Sequence, residues 1–297
     1  NCKKKIIKYE NIKFLFSQNF DFLEDKKNLI YLFIGNNKDY HKNIKKNKFI
    51  KQKINKNFSV KHNNKIKLDI NYKDHILDIY QKDSSGRAII LGKKINDWQI
   101  NFFGSELSEE ELAIRNYYNL TGCLTFADIK LININLFAKN SKCEDAINLI
   151  RTNGNINEIK IFNNMYDGLD IDFSSLSINK IFIENSDNDC IDLSFGKYKI
   201  KKATLKNCGD KGISIGEKSQ AFIDNVNILK TDIGIASKDS SIVEVLDSKI
   251  NTTRVCLSAY RKKQEFNSAS IKIQNLLCDE YDKKIDLDMN STITIQN

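Results

Sequence analysis

The residues of this chain that could carry out chemistry are aspartates that recur at a fixed interval beside apolar residues. They lie in DGLDIDFS at 167–174, in NDCIDLS at 188–194 and in DKGISIG at 210–216, where a lysine takes one acidic place. Equivalent residues are 22 positions apart. Carboxylates repeated in this way could bind a cation, or one of them could hold a proton and act as a general acid.

The apolar residues around these acids follow the same interval. A small residue precedes an apolar one, with a first step of 23 and later steps of 22, at Cys123, Ala146, Gly168, Cys190, Gly212, Gly234 and Cys256. Between these points lies I-x-x-I-x-I, as at Ile156, Ile159 and Ile161. Alternation of apolar and polar residues indicates strands with one buried face. Strands that repeat at this interval without an intervening helix are typical of a solenoid.

We therefore predict an all-β fold, a right-handed parallel β-helix of about 22 residues per coil. The predicted β-helix covers 86–297, with regular coils at about 120–278. A small irregular N-terminal lobe, β or mixed, is expected at 1–85. A short helix is expected at 105–118, where SELSEEELAIRNYY begins with a capping serine and early acids.

Particular positions should stack from coil to coil. Trp98 should face the interior of an entry coil, together with Ile100 and Phe102. A ladder of side-chain hydrogen bonds is expected at a turn where asparagines recur, namely Asn163, Asn185 and Asn207. We expect the acids to form columns on the outer face of one sheet, since their apolar neighbours point inward. One column is Asp145, Asp167, Asp189 and Lys211, and another is Asn148, Asp170, Asp192 and Ser214.

The seven cysteines are expected to be free thiols. Cys123, Cys190 and Cys256 share one column and lie three coils apart, about 14 Å by the strand spacing. This is too far for a disulfide, so we expect buried thiols that act as small apolar side chains and no disulfides.

Composition narrows the classes of partner. The net charge is +9 and is concentrated in the first hundred residues, but Asn, Lys and Ile are abundant throughout and Pro is absent, as codon bias would produce. No aromatic–basic motif accompanies the charge, so we expect no nucleic acid partner. No apolar run reaches the length of about 18 residues that predicts a membrane span.

The repeat and its motifs resemble the pectate-lyase-like right-handed β-helix superfamily. YDG at 166–168, NDC at 188–190 and DKG at 210–212 are similar in register to polygalacturonase-type glycosidases, although Asn188 replaces an acid and Lys211 a histidine. NDCID at 188–192 resembles the cluster of calcium-dependent pectate lyases. This second resemblance implies that calcium is held by Asp167, Asp170, Asp189 and Asp192. It also implies a catalytic set of Lys211 as base with Asp189 and Asp167.

A third resemblance concerns GDKGISIGEKS, IGIASKDSS and LSAYRKKQEF, within 209–266. These stretches resemble uncharacterised β-helix proteins associated with CotH-type proteins and surface-polysaccharide genes, which implies a cell-surface or extracellular location. Lys238, Arg254 and Arg261 are expected to bind sugar carboxylates or to lie on a solvated face.

Two functional hypotheses remain open. The first is an enzyme acting on an acidic, uronate-containing polysaccharide, such as a calcium-dependent lyase. The second is a non-catalytic cell-surface scaffold or glycan-binding module, in which the acids are solvated or paired with Lys211.

Overall fold

The computed structural model describes residues 49–105 and 120–296, and the strand backbones at 5–9, 12–16, 20–25 and 29–34. The chain divides into two compact units, residues 1–47 and 48–297. In the first unit β1 pairs with β2 and β3 with β4, both antiparallel. The predicted helix at 105–118 lies outside the described residues, apart from Ser105.

All the described regular elements are strands, with the following bounds. They are β1 (Lys5–Tyr9), β2 (Ile12–Phe16), β3 (Phe20–Asp25), β4 (Leu29–Ile34), β5 (Ile50–Lys53), β6 (Phe58–His62), β7 (Ile66–Asn71), β8 (Ile76–Gln81), β9 (Ala88–Gly92), β10 (Lys94–Asn96), β11 (Gln99–Phe103), β12 (Gly122–Ala127), β13 (Lys130–Lys139), β14 (Asp145–Ile150), β15 (Asn153–Asn164), β16 (Asp167–Asp172), β17 (Ser175–Ser186), β18 (Ile191–Ser194), β19 (Lys197–Gly216), β20 (Gln220–Lys238), β21 (Ile242–Tyr260), β22 (Ser270–Leu287) and β23 (Thr292–Ile295).

The second unit is a parallel β-solenoid of about nine turns with about 22 residues per coil, which confirms the predicted β-helix. Each coil contributes three strand segments, illustrated by residues 167–172, 175–178 and 180–184. We call the three stacked sheets that contain these segments the first, second and third sheets. Near the start of the solenoid, β5 pairs with β6, β6 with β9 and β7 with β8 in antiparallel fashion.

The interior is a stack of apolar side chains, as the alternation predicts. Ile147, Leu169 and Ile191 lie in register on successive coils and have no exposed surface. The entry-coil residues expected to face inward are also buried, namely Trp98, Ile100 and Phe102. Burial of whole apolar side chains at about 1.5–3 kcal/mol each is the main stabilising term in such a stack.

The asparagine ladder is confirmed at the corner after the third sheet. Asn185 Nδ2 donates to Asn163 Oδ1 at 2.8 Å, and Asn207 Nδ2 donates to Asn185 Oδ1 at 2.8 Å. The ladder extends one coil further back, because Asn163 Nδ2 reaches Asn140 Oδ1 at 3.4 Å. All four residues have φ between 54° and 63°, a left-handed conformation that Asn adopts more readily than most residues.

The expectation of free thiols is wrong, because six cysteines form three disulfides. The pairs are Cys123–Cys143, Cys190–Cys208 and Cys256–Cys278, with Cα–Cα distances of 5.4, 5.4 and 6.5 Å. The prediction compared only cysteines of one column, which indeed lie on different coils. Each of them instead pairs with a cysteine 18 to 22 residues further along the chain, after one passage around the coil.

The described residues contain no apolar helix long enough to cross a membrane.

Replacing both Cys190 and Cys208 by serine should lower the free energy of unfolding by about 3 kcal/mol. The two cysteines are 18 residues apart, and closing a loop of that size in the unfolded chain stabilises the folded state by about this amount. Urea unfolding of the wild type and the double variant measures this. A reductant should lower the free energy of unfolding of the wild type more than that of the variant. Equal free energies of unfolding for the two oxidised proteins would contradict the prediction.

Replacing Asn185 by alanine should lower the free energy of unfolding by about 2 kcal/mol, because it removes two hydrogen bonds and places alanine at positive φ. Asn185→Gly is the matched control, since glycine accepts the backbone conformation but supplies no side chain. If unfolding in urea shows that both variants lose the same stability, the backbone conformation does not contribute.

Candidate functional site

The predicted columns of acids lie on the outer face of the first sheet. Asp145 pairs in register with Asp167 on β14 and β16. The second column runs in register through Asn148, Asp170, Asp192 and Ser214. A third column runs through Ile150, Asp172, Ser194 and Gly216. We call this outer surface, from residues 145–150 to 233–238, the acid face.

The first column uses its carboxylates to link successive coils. Asp167 Oδ1 accepts hydrogen bonds from the Asp189 backbone N–H at 2.8 Å and from Asn188 Nδ2 at 2.7 Å. Asp189 Oδ1 in turn accepts one from the Lys211 backbone N–H at 2.9 Å. These carboxylates therefore have a structural role, whatever else they do.

The second column leaves hydrogen-bonding capacity unused. Asn148 Nδ2 donates to Asp170 Oδ2 at 2.7 Å. Among the described residues, no partner is found for the buried atoms Asn148 Oδ1, Asp192 Oδ1 and Ser214 Oγ. Ser214 has no exposed surface, and Asn148 is 3% exposed. Buried polar atoms without partners are uncommon and costly, which makes this column the part of the face best suited to a ligand.

The acid face raises the pKa values of its carboxyl groups. Burial, followed by the charge of Asp189, raises the pKa of Asp167 to about 7. Burial raises the pKa of Asp145 to about 7 and that of Asp172 to about 6. It also raises the pKa of Asp170 well above its ordinary value, and the charges of neighbouring acids act in the same direction. Near neutral pH several of these groups can therefore hold or release a proton.

Lys211 lies at the end of the first column as a charged group. Its Nζ is 3.4 Å from Asp189 Oδ1 and forms a close ion pair with Asp210. Burial favours the neutral amine, but Asp189 and Asp210 outweigh it and raise the pKa of Lys211. Burial also raises the pKa of Asp189 to about 6, although Lys211 opposes this. Lys211 is thus protonated at neutral pH, which suits a hydrogen-bond donor better than a base.

Lys238 is a buried lysine whose amine forms no direct ion pair with a described residue. It is 5% exposed, and its Nζ makes no hydrogen bond or direct ion pair with any described residue, although the charges of Asp189 and Glu217 interact with it at longer range. Its side chain crosses the space left by Gly216, where an added Cβ would lie 3.4 Å from Lys238 Cε and 4.0 Å from Nζ. A charged group in such a place normally has a partner of opposite charge, so Lys238 is a candidate to bind an anionic group of a ligand.

The loop at 261–269 forms a wall at one side of the acid face. The pairing of β21 with β22 places Ile242 opposite Ser270, six residues beyond the 22-residue period. Asp239 Oδ1 accepts hydrogen bonds from the backbone N–H groups of Lys262 and Lys263, both at 2.7 Å.

Glu217 anchors the same loop. Lys263 Nζ lies 2.5 Å from Glu217 Oε1, and Ser194 Oγ donates to Oε2 at 2.6 Å. Burial opposes the ionised form of Glu217, but these two hydrogen bonds outweigh it and lower its pKa. Sequence reasoning did not assign Glu217, Asp172, Asp239 or Lys263 to the site. The extra length of the 242–270 interval was the available signal for this loop.

The structure brings together Asp167, Asp170, Asp189, Asp192, Lys211 and Lys238 on the acid face. It places the two predicted arginines elsewhere. Arg254 is exposed, forms a bidentate ion pair with Asp232 at 2.7 Å and lines a groove of about 750 Å³ at the asparagine-ladder corner. Arg261 begins the 261–269 loop, where its backbone N–H donates to Asp288.

Calcium is not needed to explain the acid face as it stands. In the described part of the chain, no three acidic, histidine or cysteine side chains converge as metal ligands. Asp167 Oδ1 and Asp189 Oδ1 each accept a hydrogen bond from a backbone N–H group of the next coil. The calcium site at Asp167, Asp170, Asp189 and Asp192 stays a prediction.

Replacing Asp167 by asparagine should make stability less dependent on pH. With its pKa raised to about 7, Asp167 contributes stability that is complete below its unfolded pKa of about 4 and is lost as the pH rises through 7. Asparagine keeps the acceptor oxygen for Asp189 and Asn188. The variant should gain about 2 kcal/mol over the wild type at pH 8 and little at pH 4.5. Urea unfolding at both pH values measures this difference.

Asp279→Asn is the matched control, because Asp279 is exposed on the third sheet. An equal change in both variants would contradict an effect specific to the acid face.

No protein-family model matches the chain, nor does any curated protein or solved structure.

Proposed function

We propose that this protein is a carbohydrate-active enzyme that cleaves an acidic, uronate-containing polysaccharide at the acid face. The observation that supports this most directly is the second column, where Asp170 and Asp192 occupy adjacent coils and buried polar atoms have no partner. The resemblance to pectate-lyase-like β-helix proteins adds to it. A β-helix by itself implies no activity, so the proposal depends on this column.

The groups of the acid face suit β-elimination beside a uronate carboxylate. The carboxylate of Asp192, a half-buried residue, is the acceptor for the C5 proton, and its Oδ1 has no hydrogen-bond partner in the described structure. The electrons of that C–H bond form the C4–C5 double bond, and the C4–O bond breaks. The leaving oxygen takes a proton from Asp170, whose raised pKa favours its acid form.

The two buried lysines supply the positive charge that this reaction needs. Lys238 forms no direct ion pair in the described chain, and Lys211 keeps its proton beside Asp189 and Asp210. In β-elimination a nearby cation neutralises the uronate carboxylate and makes the C5 proton more acidic. Asp167 and Asp189 then hold the coils in register around the reacting groups.

A cell-surface or extracellular location is part of the proposal. Three disulfides support it, because disulfides persist in oxidising environments and are rare where thiol buffers keep cysteines reduced.

The second candidate is a non-catalytic scaffold or glycan-binding module. The hydrogen bonds from backbone N–H groups to Asp167 and Asp189 favour it, since they give these acids a role in holding coils together. In this alternative the acid face binds sugar hydroxyls and no bond is broken.

Cleavage is tested by incubating the protein with a panel of uronate polymers and measuring both new reducing ends and ultraviolet absorbance of the unsaturated product. Asp192→Asn should lower the rate by about 10²–10⁴-fold, the usual contribution of a general base. Asp279→Asn should leave the rate unchanged. Reducing ends without unsaturated product would replace elimination by hydrolysis, and binding without any cleavage would favour the scaffold.

A further inference from the structure

A second surface with unused binding capacity lies around the corner from the acid face. Two adjoining grooves, of about 440 and 780 Å³, lie over the first turn of each coil and the start of the second sheet. They share Asn153, Ser175, Lys197 and Gln220, which succeed one another in register from coil to coil. We call the combined surface the basic groove.

The basic groove has an excess of unpaired positive charge. Its lysines are Lys130, Lys197, Lys199 and Lys218. None of them forms an ion pair with a described residue, and Glu244 is the one carboxylate in the described lining. Lys199 lies 5.6 Å from the Phe222 ring centre, and Lys218 lies 5.8 Å from that of Phe266. The groove therefore attracts an anion, in contrast to the carboxyl-rich acid face.

Two exposed phenylalanines form an apolar ridge along the same groove. The Phe173 and Phe195 rings stack with centres 4.7 Å apart and planes 6° from parallel. Phe173 is 53% exposed and Phe195 is 40% exposed. Both have φ of 50°, a conformation that disfavours bulky residues, and Asp128 occupies the equivalent turn of an earlier coil. Two strained and exposed rings are unfavourable for the isolated protein and suit contact with a ligand.

We propose that the basic groove is an accessory site that binds a linear polymer of uronic acids. The inference deepens the proposed function and rests on it for the choice of substrate class. Lysines bind the carboxylates, Asn153, Ser175 and Gln220 bind hydroxyl groups, and the phenylalanine ridge contacts the apolar faces of the sugar rings. Coils about 4.8 Å apart present these groups as a row, so that an extended chain can contact several of them.

A sugar polymer fits this ridge better than a nucleic acid. Single-stranded nucleic acids bind by stacking bases on free aromatic faces. Here Phe195 has Phe173 on one face, and the Phe266 ring meets it edge-on at 6.0 Å. The two rings stack on each other and so offer few free faces to successive bases, whereas a remaining ring face can contact the C–H surface of a single pyranose.

The acid face and the basic groove have separate roles, acid–base cleavage and binding of the polyanion, which would interfere with each other on one surface. A dense row of carboxyl groups repels a polyanion, although acid–base cleavage needs such groups. A separate row of lysines can hold the polymer while one uronate enters the acid face beside Lys238. The groove then lowers the polymer concentration needed for cleavage and leaves the rate at saturation unchanged.

The test is calorimetric titration of the full chain with polygalacturonate oligomers and, in parallel, with carboxyl-reduced oligomers. Replacing Lys197 and Lys218 by glutamine should weaken binding of the acidic oligomer by about fivefold for each lysine, the upper range for exposed charge pairs. The matched control replaces Lys202 and Lys249, two exposed lysines of the third sheet, by glutamine. This control should change binding less than twofold.

A second variant tests the ridge. Phe173→Asn removes a ring and keeps a residue that accepts positive φ. It should weaken binding of both the acidic and the carboxyl-reduced oligomer, whereas the lysine variant affects only the acidic one. Equal loss in the control variant, or unchanged binding in both groove variants, would overturn the proposal. Tighter binding of oligothymidylate than of the acidic oligomer would also overturn it, in favour of a nucleic acid.

The acid-face variant Asp192→Asn separates this inference from the proposed function. It should bind the oligomer through the groove as the wild type does, because it leaves the lysines and the ridge in place. If the wild type binds through the groove but cleaves nothing, the cleavage proposal fails and the groove remains a binding site. If cleavage occurs while the groove variants bind normally, only the groove proposal fails.

Discussion

The structure depends on one constraint, the in-register stacking of parallel strands from coil to coil. Main-chain hydrogen bonds hold each strand against its equivalent one period away, so residues 22 apart become direct neighbours. The constraint is indifferent to side-chain chemistry on the outer faces. It places Asp145 beside Asp167 and Asp170 beside Asp192 as readily as it places isoleucine on isoleucine in the interior.

Stacking changes the behaviour of polar side chains more than that of apolar ones. Each isoleucine added to a buried column stabilises the fold further. A column of aspartates accumulates burial and repulsion, and the protein offsets these by raised pKa values, by N–H donors from the next coil and by the cations Lys211 and Lys238. The corner turns also cost free energy, because their residues have positive φ. Asparagine, as in the ladder from Asn140 to Asn207, tolerates this conformation, whereas Phe173 and Phe195 do not.

The 22-residue period could be predicted from the sequence because the same pattern of apolar and polar residues recurs in every coil. It gave the β-helix, the columns of acids, the inward direction of Trp98 and the asparagine ladder. The disulfides were missed because the period compares a residue only with its equivalents, whereas Cys190 pairs with Cys208 across one coil. Such contacts depend on how the interior closes, and the 22-residue repeat contains no information on that.

The acid face was predictable in outline and not in its chemistry. The columns followed from spacing, but the state of Lys211 depends on Asp210 and Asp189 together, and the burial of Lys238 depends on how the coils pack around it. The 261–269 loop interrupts the repeat, so the 22-residue period does not predict the contact between Lys263 and Glu217.

The three disulfides have a consequence for how the solenoid comes apart. A stack in which each coil contacts only its neighbours can separate from either end, one coil after another. In the column of small residues a cysteine recurs at every third coil, at Cys123, Cys190 and Cys256, and each closes its own coil covalently. Fraying that starts at an end thus meets a cross-linked ring within a few coils. In an environment rich in proteases, cleavage of a loosened coil would shorten the solenoid only as far as the nearest ring.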